Sequence, residues 1–147
     1  MHSFEPTRRA VLVAAFVVPT LARAATAPTV EVWKSPACGC CGGWVTHLRA
    51  AGFSVVVRDV DDVDPIKRTH GVTTELASCH TALVEGYVVE GHAPASDIRR
   101  LLAESRAIKG LAAPGMPSGA PGMGEDGSRY DVVAFGGAGG TSVFARH

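Results

Sequence analysis

Val30-Glu-Val-Trp-Lys-Ser-Pro-Ala-Cys38-Gly-Cys40-Cys41-Gly-Gly-Trp44-Val-Thr-His-Leu-Arg-Ala-Ala-Gly52-Phe-Ser-Val-Val-Val57 is the stretch on which the fold turns. Val30–Trp33 is a short apolar run that stops at Lys34-Ser35-Pro36, the pattern of a strand entering a turn. Trp44, Val45, Leu48 and Ala51 then recur at helical spacing, and Gly52 supplies the stop. Phe53–Val57 is apolar and β-branched, which suits a second strand. Strand, cysteine turn, helix and strand follow one another with no spare residues.

Three of the four cysteines fall in that one turn, and the fourth, Cys79, lies in Ser78-Cys79-His80-Thr81. Three thiols so close cannot all pair with one another. One disulfide among them leaves a thiol over, so the set needs Cys79, a metal or redox cycling. A structural framework would spread its cysteines along the chain; this chain gathers them at a point.

Residues 1–27 read as an export signal: Arg8-Arg9, an apolar run from Ala10 to Val18, and Ala22-Arg23-Ala24 as a small-x-small cleavage site. The run is about half the ~20 residues that span a bilayer. Thr7–Leu12 also resembles a twin-arginine signal, so both a general and a folded-protein export route remain open. Either route places the mature chain, residues 28–147 in round terms, in an oxidising periplasmic space where unprotected thiols become disulfides. Cleavage after Ala24 removes three arginines and one glutamate, leaving 123 residues with 11 basic and 13 acidic side chains. That is a one-domain length. No basic stretch interleaved with aromatics points to nucleic acid, and no second apolar run approaches membrane length.

Further along, Asp59, Asp61, Asp62 and Asp64 with Pro65 form an acidic turn before a short helix near Ile66–His70. The acidic turn lacks the glycine and closing glutamate of a calcium loop. Thr81–Val84 and Tyr87–Glu90 flank Glu85-Gly86, a hairpin signal. Pro94-Ala-Ser-Asp opens an amphipathic helix with Ile98, Leu101 and Leu102 on its apolar face. Residues 110–127 are dominated by Gly, Pro and Ala, the composition of a linker. Yet Met116 and Met123 both lie here, each in Pro-Gly-Met. Tyr130–Phe135 and Thr141–Ala145 suggest a late hairpin around Gly136–Gly140, with a weakly set register. The fold expected is α/β: a thioredoxin-like mixed sheet flanked by helices, with a Gly/Pro/Met-rich loop and a C-terminal β-hairpin.

Cys38 and Cys41 make a Cys-x-x-Cys at a helix N-terminus, where unsatisfied backbone N–H groups stabilise a thiolate. In a thioredoxin-like fold that pair exchanges disulfides, with Cys38 as nucleophile and Cys41 resolving. Cys40 works against this reading, since a third thiol is a competing partner. For a soft metal it is an advantage: thiolates and thioethers select Cu(I), and bridging thiolates hold several such ions. Cys38, Cys40, Cys41 and Cys79 with the two methionines form an all-soft donor set, to which His80 and His92 add imidazole nitrogens. Zinc is less well served, having one Cys-x-x-Cys and an isolated Cys-His.

Simpler roles stand beside these. Cys38–Cys41 or Cys40–Cys79 would serve as plain disulfides in an exported domain. Met116 and Met123 would serve as gap-fillers. His92 suits a surface turn, His47 and His70 suit solvated helix positions, and Trp33 and Trp44 suit packing around the site.

In combination, Cys38-Gly-Cys-Cys-Gly-Gly-Trp44, Ser78-Cys-His-Thr-Ala82, Val89-Glu-Gly-His-Ala-Pro94 and the doubled Pro-Gly-Met of Gly110–Met123 resemble the CopG-like family of exported copper-resistance proteins. The likeness runs over roughly residues 29–145. It implies a thioredoxin-like fold with a thiolate-bridged copper site and a role in periplasmic copper handling, including Cu(I)/Cu(II) interconversion. It implies Cys38, Cys40, Cys41 and Cys79 as core ligands, Met116 and Met123 as additional ligands, and His80 and His92 as further candidates. Copper ions and other periplasmic copper-handling proteins are the partners expected. A thiol-disulfide oxidoreductase using Cys38 and Cys41 is the alternative, and a disulfide-stapled interaction domain a third.

Overall fold

In the computed structural model, which describes residues 26–147, β1 (Thr29–Lys34) and β2 (Ser54–Asp59) run parallel and are joined by helix α1 (Gly39–Ala50). The export signal and its cleavage site lie, save for residues 26 and 27, outside the described residues. After α2 (Asp64–Thr69) come β3 (His80–Val84), β4 (Tyr87–Glu90), α3 (Ala95–Glu104), β5 (Gly110–Ala112), β6 (Asp131–Gly137) and β7 (Gly140–Arg146). They form one seven-stranded mixed sheet in the order β2-β1-β3-β4-β5-β6-β7. The β1/β2 and β4/β5 pairs are parallel; the other four are antiparallel. The mixed α/β sheet expected from the sequence, with its Gly/Pro/Met-rich loop and C-terminal hairpin, is present. Among the described residues no helix is long and apolar enough to cross a membrane.

Strand alternation divides the interior into two cores, because successive side chains of a strand point to opposite faces. Val30, Val32, Ala82, Val84, Val89, Leu111, Val132 and Ala134 face α1 and α3 and pack with Trp44, Leu48, Ile98 and Leu101. Their neighbours Val88, Ala112 and Phe135 face the other way and pack with Val72 and Leu76. Trp44 anchors the larger core: its ring is fully buried and its Nε1 donates to the Ala93 carbonyl at 2.8 Å. Truncating it to alanine is expected to cost about 3–5 kcal/mol.

The turns follow their sequence signals. Glu85 and Gly86 both take positive φ, 46° and 86°, the backbone of a tight hairpin turn. Two differences are instructive. Gly110–Ala112, inside the linker-like stretch, is a central strand. It carries no β-branched residue, so propensity hides it. Gly110 is required there because a Cβ would run into the Val88 backbone. The late hairpin also reaches into its glycines: Gly137 pairs with Gly140, leaving only Ala138-Gly139 as the turn. Its register does shift twice, between Val132 and Val133 and between Ala134 and Gly137.

Candidate metal centre

One wall of the site is the start of α1. Cys38 precedes the helix with extended backbone (φ −80°, ψ 93°), and Cys40 and Cys41 occupy its first turn, which holds no acidic residue. Cys38 and Cys41 are joined as a disulfide, while Cys40 and Cys79 are free thiols. Cys41 is fully buried and Cys38 partly exposed. Cys40 Sγ lies 3.5 Å from Cys38 Sγ and 3.9 Å from Cys79 Sγ. All four sulfurs fall within 4.8 Å of one another.

The second wall comes from residues far along the chain. Antiparallel pairing sets Lys34 opposite His80, so Cys79, just before β3, arrives beside the turn that follows β1. Its Sγ lies 3.4 Å from His80 Nδ1 and 3.1 Å from His92 Nε2. His92 Nδ1 is 2.7 Å from the Pro121 carbonyl, and a carbonyl only accepts. Nδ1 therefore carries the proton, and Nε2 turns its lone pair toward Cys79, the second-sphere arrangement that fixes a ligating imidazole. Cys79, His80 and His92 form a second close donor group sharing Cys79 with the first.

Burial governs the ionisation of this wall. It pushes the Cys79 thiol up to about 11, aided by the nearby Cys40. It pulls His80 down to about 3, with His92 and Lys67 acting in the same direction, and it lowers His92 as well. Both imidazoles are therefore neutral at pH 7 and able to offer a lone pair. The His80 ring lies tilted against that of Trp44, centroids 4.4 Å apart, and His80 Nε2 is buried without a hydrogen-bond partner.

The Pro-Gly-Met segments are seated against both walls. Gly115 N donates to the Ala77 carbonyl at 2.9 Å, and Ser78 Oγ donates to the Gly115 carbonyl. Gly122 packs on the backbone of α1: a Cβ there would lie 2.5 Å from Trp44 N and 3.0 Å from the Cys40 carbonyl. Gly43 mirrors it, since its own Cβ would lie 2.9 Å from Gly122 Cα. Residues 110–123 are thus a docked strand and loop. Met123 is half-buried, and Met116 is exposed at 61%.

Two surface assignments need correcting. His92 is fully buried, held by Pro121 on one side and Cys79 on the other. His47 is half-buried, and its Nε2 accepts from Ala95 N at 3.0 Å, capping α3 where Pro94 offers no polar side chain. The pair Lys67–Glu90, 2.5 Å apart, was not read from the sequence at all. Its one signal was a glutamate closing the apolar run Tyr87-Val-Val-Glu90, where burial leaves a charge in need of a partner.

Fold and site together define a mixed α/β protein with two close donor groups that share Cys79, one of four cysteines and one of Cys79, His80 and His92, either of which could hold a metal ion. The family model described as "Protein of unknown function, DUF411" matches residues 76–123, from Leu76 through the second Pro-Gly-Met. Among solved structures the chain is similar to the copper resistance protein CopG in form 2, with 40% identity and a TM-score of 0.76 over 82% of this chain and 98% of that one. Form 1 of the same protein is similar at 40% identity and a TM-score of 0.74, over 81% of this chain and 96% of that one. This chain belongs to the CopG family. A comparison with curated proteins finds no match.

Proposed function

We propose that this protein is a periplasmic copper-binding protein of copper resistance, holding Cu(I) in the cage formed by Cys38, Cys40, Cys41 and Cys79. The observation that carries this reading is the convergence of four cysteine sulfurs within 4.8 Å, from positions up to 41 residues apart. The 40% identity to a copper resistance protein supports copper as the metal. The donors are soft, which favours Cu(I), and bridging thiolates suit more than one ion. His92, with its lone pair aimed at Cys79, and His80 are the nitrogen donors. Met123 and Met116 are the thioethers that close the cage from the loop. Partners would be copper ions and other copper-handling proteins of the same compartment.

The Cys38–Cys41 bond adds a redox side to this function. Two Cu(II) ions each accept one electron as the two thiols join; the products are the disulfide, two Cu(I) and two protons. A dithiol reductant returns the pair to its metal-binding form. Anaerobic titration of the reduced mature protein with Cu(I), followed by metal analysis and an oxidation-state-sensitive spectrum, tests the reading. Stoichiometric, chelator-resistant uptake is expected. Equally tight binding by a Cys40→Ser/Cys79→Ser/Met116→Leu variant would overturn the site.

A second reading is favoured by one observation, the same disulfide at the start of a helix with Cys38 on its accessible side. A thiol-disulfide oxidoreductase would reduce insulin through Cys38 and Cys41 alone and tolerate Cys40→Ser. The absence of any turnover in metal-free protein would remove it.

A further inference from the structure

The segment Ser78-Cys79-His80-Thr81 turns its two inner side chains to the sulfur cluster and is anchored through its two outer residues to a single carboxylate. Glu90 is fully buried. Its Oε1 accepts from Ser78 N at 2.7 Å and from Lys67 Nζ at 2.5 Å. Its Oε2 accepts from the Thr81 hydroxyl at 2.7 Å, and Lys67 Nζ also reaches Thr81 Oγ1 at 3.2 Å. Thr81 and Glu90 are register partners across β3 and β4, so the carboxylate extends from the sheet to the residue preceding Cys79. Gly91 leaves the segment no slack on its other side: at φ 69°, a Cβ there would lie 2.5 Å from Ser78 Cβ and 2.8 Å from the Ala113 carbonyl.

A buried ion pair is a poor stability device, because desolvating two charges offsets most of their attraction and apolar replacements of like volume are often neutral. What the pair does supply is a rigid, fully satisfied acceptor for one backbone N–H. We propose that Glu90, held by Lys67, is a positioning residue of the metal centre: it fixes the Ser78–Cys79 backbone so that Cys79 Sγ stays within reach of Cys40 and His92, and thereby sets the affinity and geometry of the site. The proposal rests on the copper reading for its consequence and on the hydrogen-bond geometry for its cause. Outer-sphere partners of this kind typically carry about 10–100-fold in metal affinity.

Two charge-neutral double variants separate positioning from simple stability. Lys67→Met/Glu90→Gln keeps an amide oxygen for Ser78 N–H, while Lys67→Met/Glu90→Leu keeps the volume and removes the acceptor. Each is compared with the parent by thermal midpoint, by Cu(I) affinity against a chelator, and by the thiolate-to-Cu(I) charge-transfer band. A fourth readout needs no metal: the rate at which an oxidant traps a Cys40–Cys79 disulfide when Cys38 and Cys41 are serine. With both variants folded, the glutamine form should bind within about threefold of the parent. The leucine form should lose about tenfold or more in affinity, shift the band, and slow the trapping by a similar factor. Parent-like binding and trapping by the leucine form overturns the proposal, as does an equal loss in both folded variants. Should the leucine form not fold, Thr81→Val cuts one anchor at constant shape; about threefold slower trapping is expected, and an unchanged rate is the contrary result. If the parent takes up no Cu(I), the copper reading fails while the trapping experiment still decides the positioning role.

Discussion

The two walls of the metal centre are built by opposite means. The α1 wall is local: Cys38, Cys40 and Cys41 are held by one turn of backbone, and Gly39 and Gly42 leave open space beside them. The Cys79 wall is long-range: it draws on β3, β4, α2 and the loop near Pro121, and His80, His92 and Glu90 are all fully buried in it. The local turn carries the one disulfide among the described residues, Cys38–Cys41, while Cys79 on the buried wall is a free thiol. On the copper reading proposed above, a change of redox state would fall to the α1 wall, with the Cys79 wall as the fixed side.

The sharpest break in that comparison is Cys79→Ser. Cys79 is the shared member of both donor groups, so its loss removes the link between the sulfur and imidazole donors. Cu(I) affinity should fall by more than ~100-fold, beyond the range of outer-sphere changes. Cys40→Ser removes a local thiol that has neighbours to substitute for it and should cost less. Competition with a chelator of known affinity ranks the two. A Cys40→Ser loss exceeding that of Cys79→Ser would invert the roles assigned to the walls.

The same division decides what could be read from the chain. The α1 wall was legible because spacing sets it: the Cys-x-x-Cys, the stop at Gly52 and the helical recurrence of Trp44 and Leu48 are all local facts. Cys79 was legible as chemistry, but its position depends on the Lys34/His80 register, which no local pattern prints. His92 looked like a turn residue because Gly91 precedes it, and its burial depends on Cys79 and His80 on one side and on Pro121, 29 residues away, on the other. Lys67 and Glu90 sit 23 residues apart on elements whose patterns looked solvated or merely strand-like, so their pairing is invisible without the fold. Gly110–Ala112 fails for the converse reason: its neighbours on both sides make it a strand, not its own residues.

Gly122→Ala tests whether the loop belongs to the α1 wall. Gly122 has φ 80° and touches the backbone of Gly43 and Trp44, so a methyl group there meets both strain and contact. The overlap should cost about 1–3 kcal/mol. It should also expose residues 114–123 to proteolysis in the metal-free protein. Unchanged cleavage would mean that the loop is not held by this contact.

The fixed wall should also show itself in acid. His80 has its folded pKa lowered to about 3 from the ordinary value of 6.5, chiefly by burial. The unfolded chain therefore binds the extra proton first. The stability His80 contributes is complete above pH 6.5 and is lost as pH falls from 6.5 toward 3. His92, lowered in the same direction, adds to the slope. His80→Phe should make the denaturation midpoint less sensitive to pH over that window; an unaltered slope would place the acid sensitivity elsewhere.

The smallest effect expected is at the methionines, and its size distinguishes a resident ligand from a gate. Met116 is 61% exposed, although its neighbours are tied down, Gly115 to Ala77 and Ser78 and Pro117 to Ala120. Closing its side chain over a bound ion must offset up to about 1.5–2 kcal/mol of rotamer freedom, which cancels much of what one neutral thioether contributes. Met123, next to the docked Gly122, is already half-buried and has less freedom to lose. Met116→Leu should therefore leave stability within about 0.5 kcal/mol. It should weaken Cu(I) binding less than Met123→Leu does while speeding Cu(I) transfer to a competing chelator, the outcome expected if the exposed arm would screen a bound ion more than hold it. Stopped-flow transfer rates measured beside equilibrium affinities separate the two behaviours. A Met116→Leu loss as large as that of Cys79→Ser would make the exposed arm as strong a donor as Cys79, and the fixed wall would then extend through Gly115 to the loop.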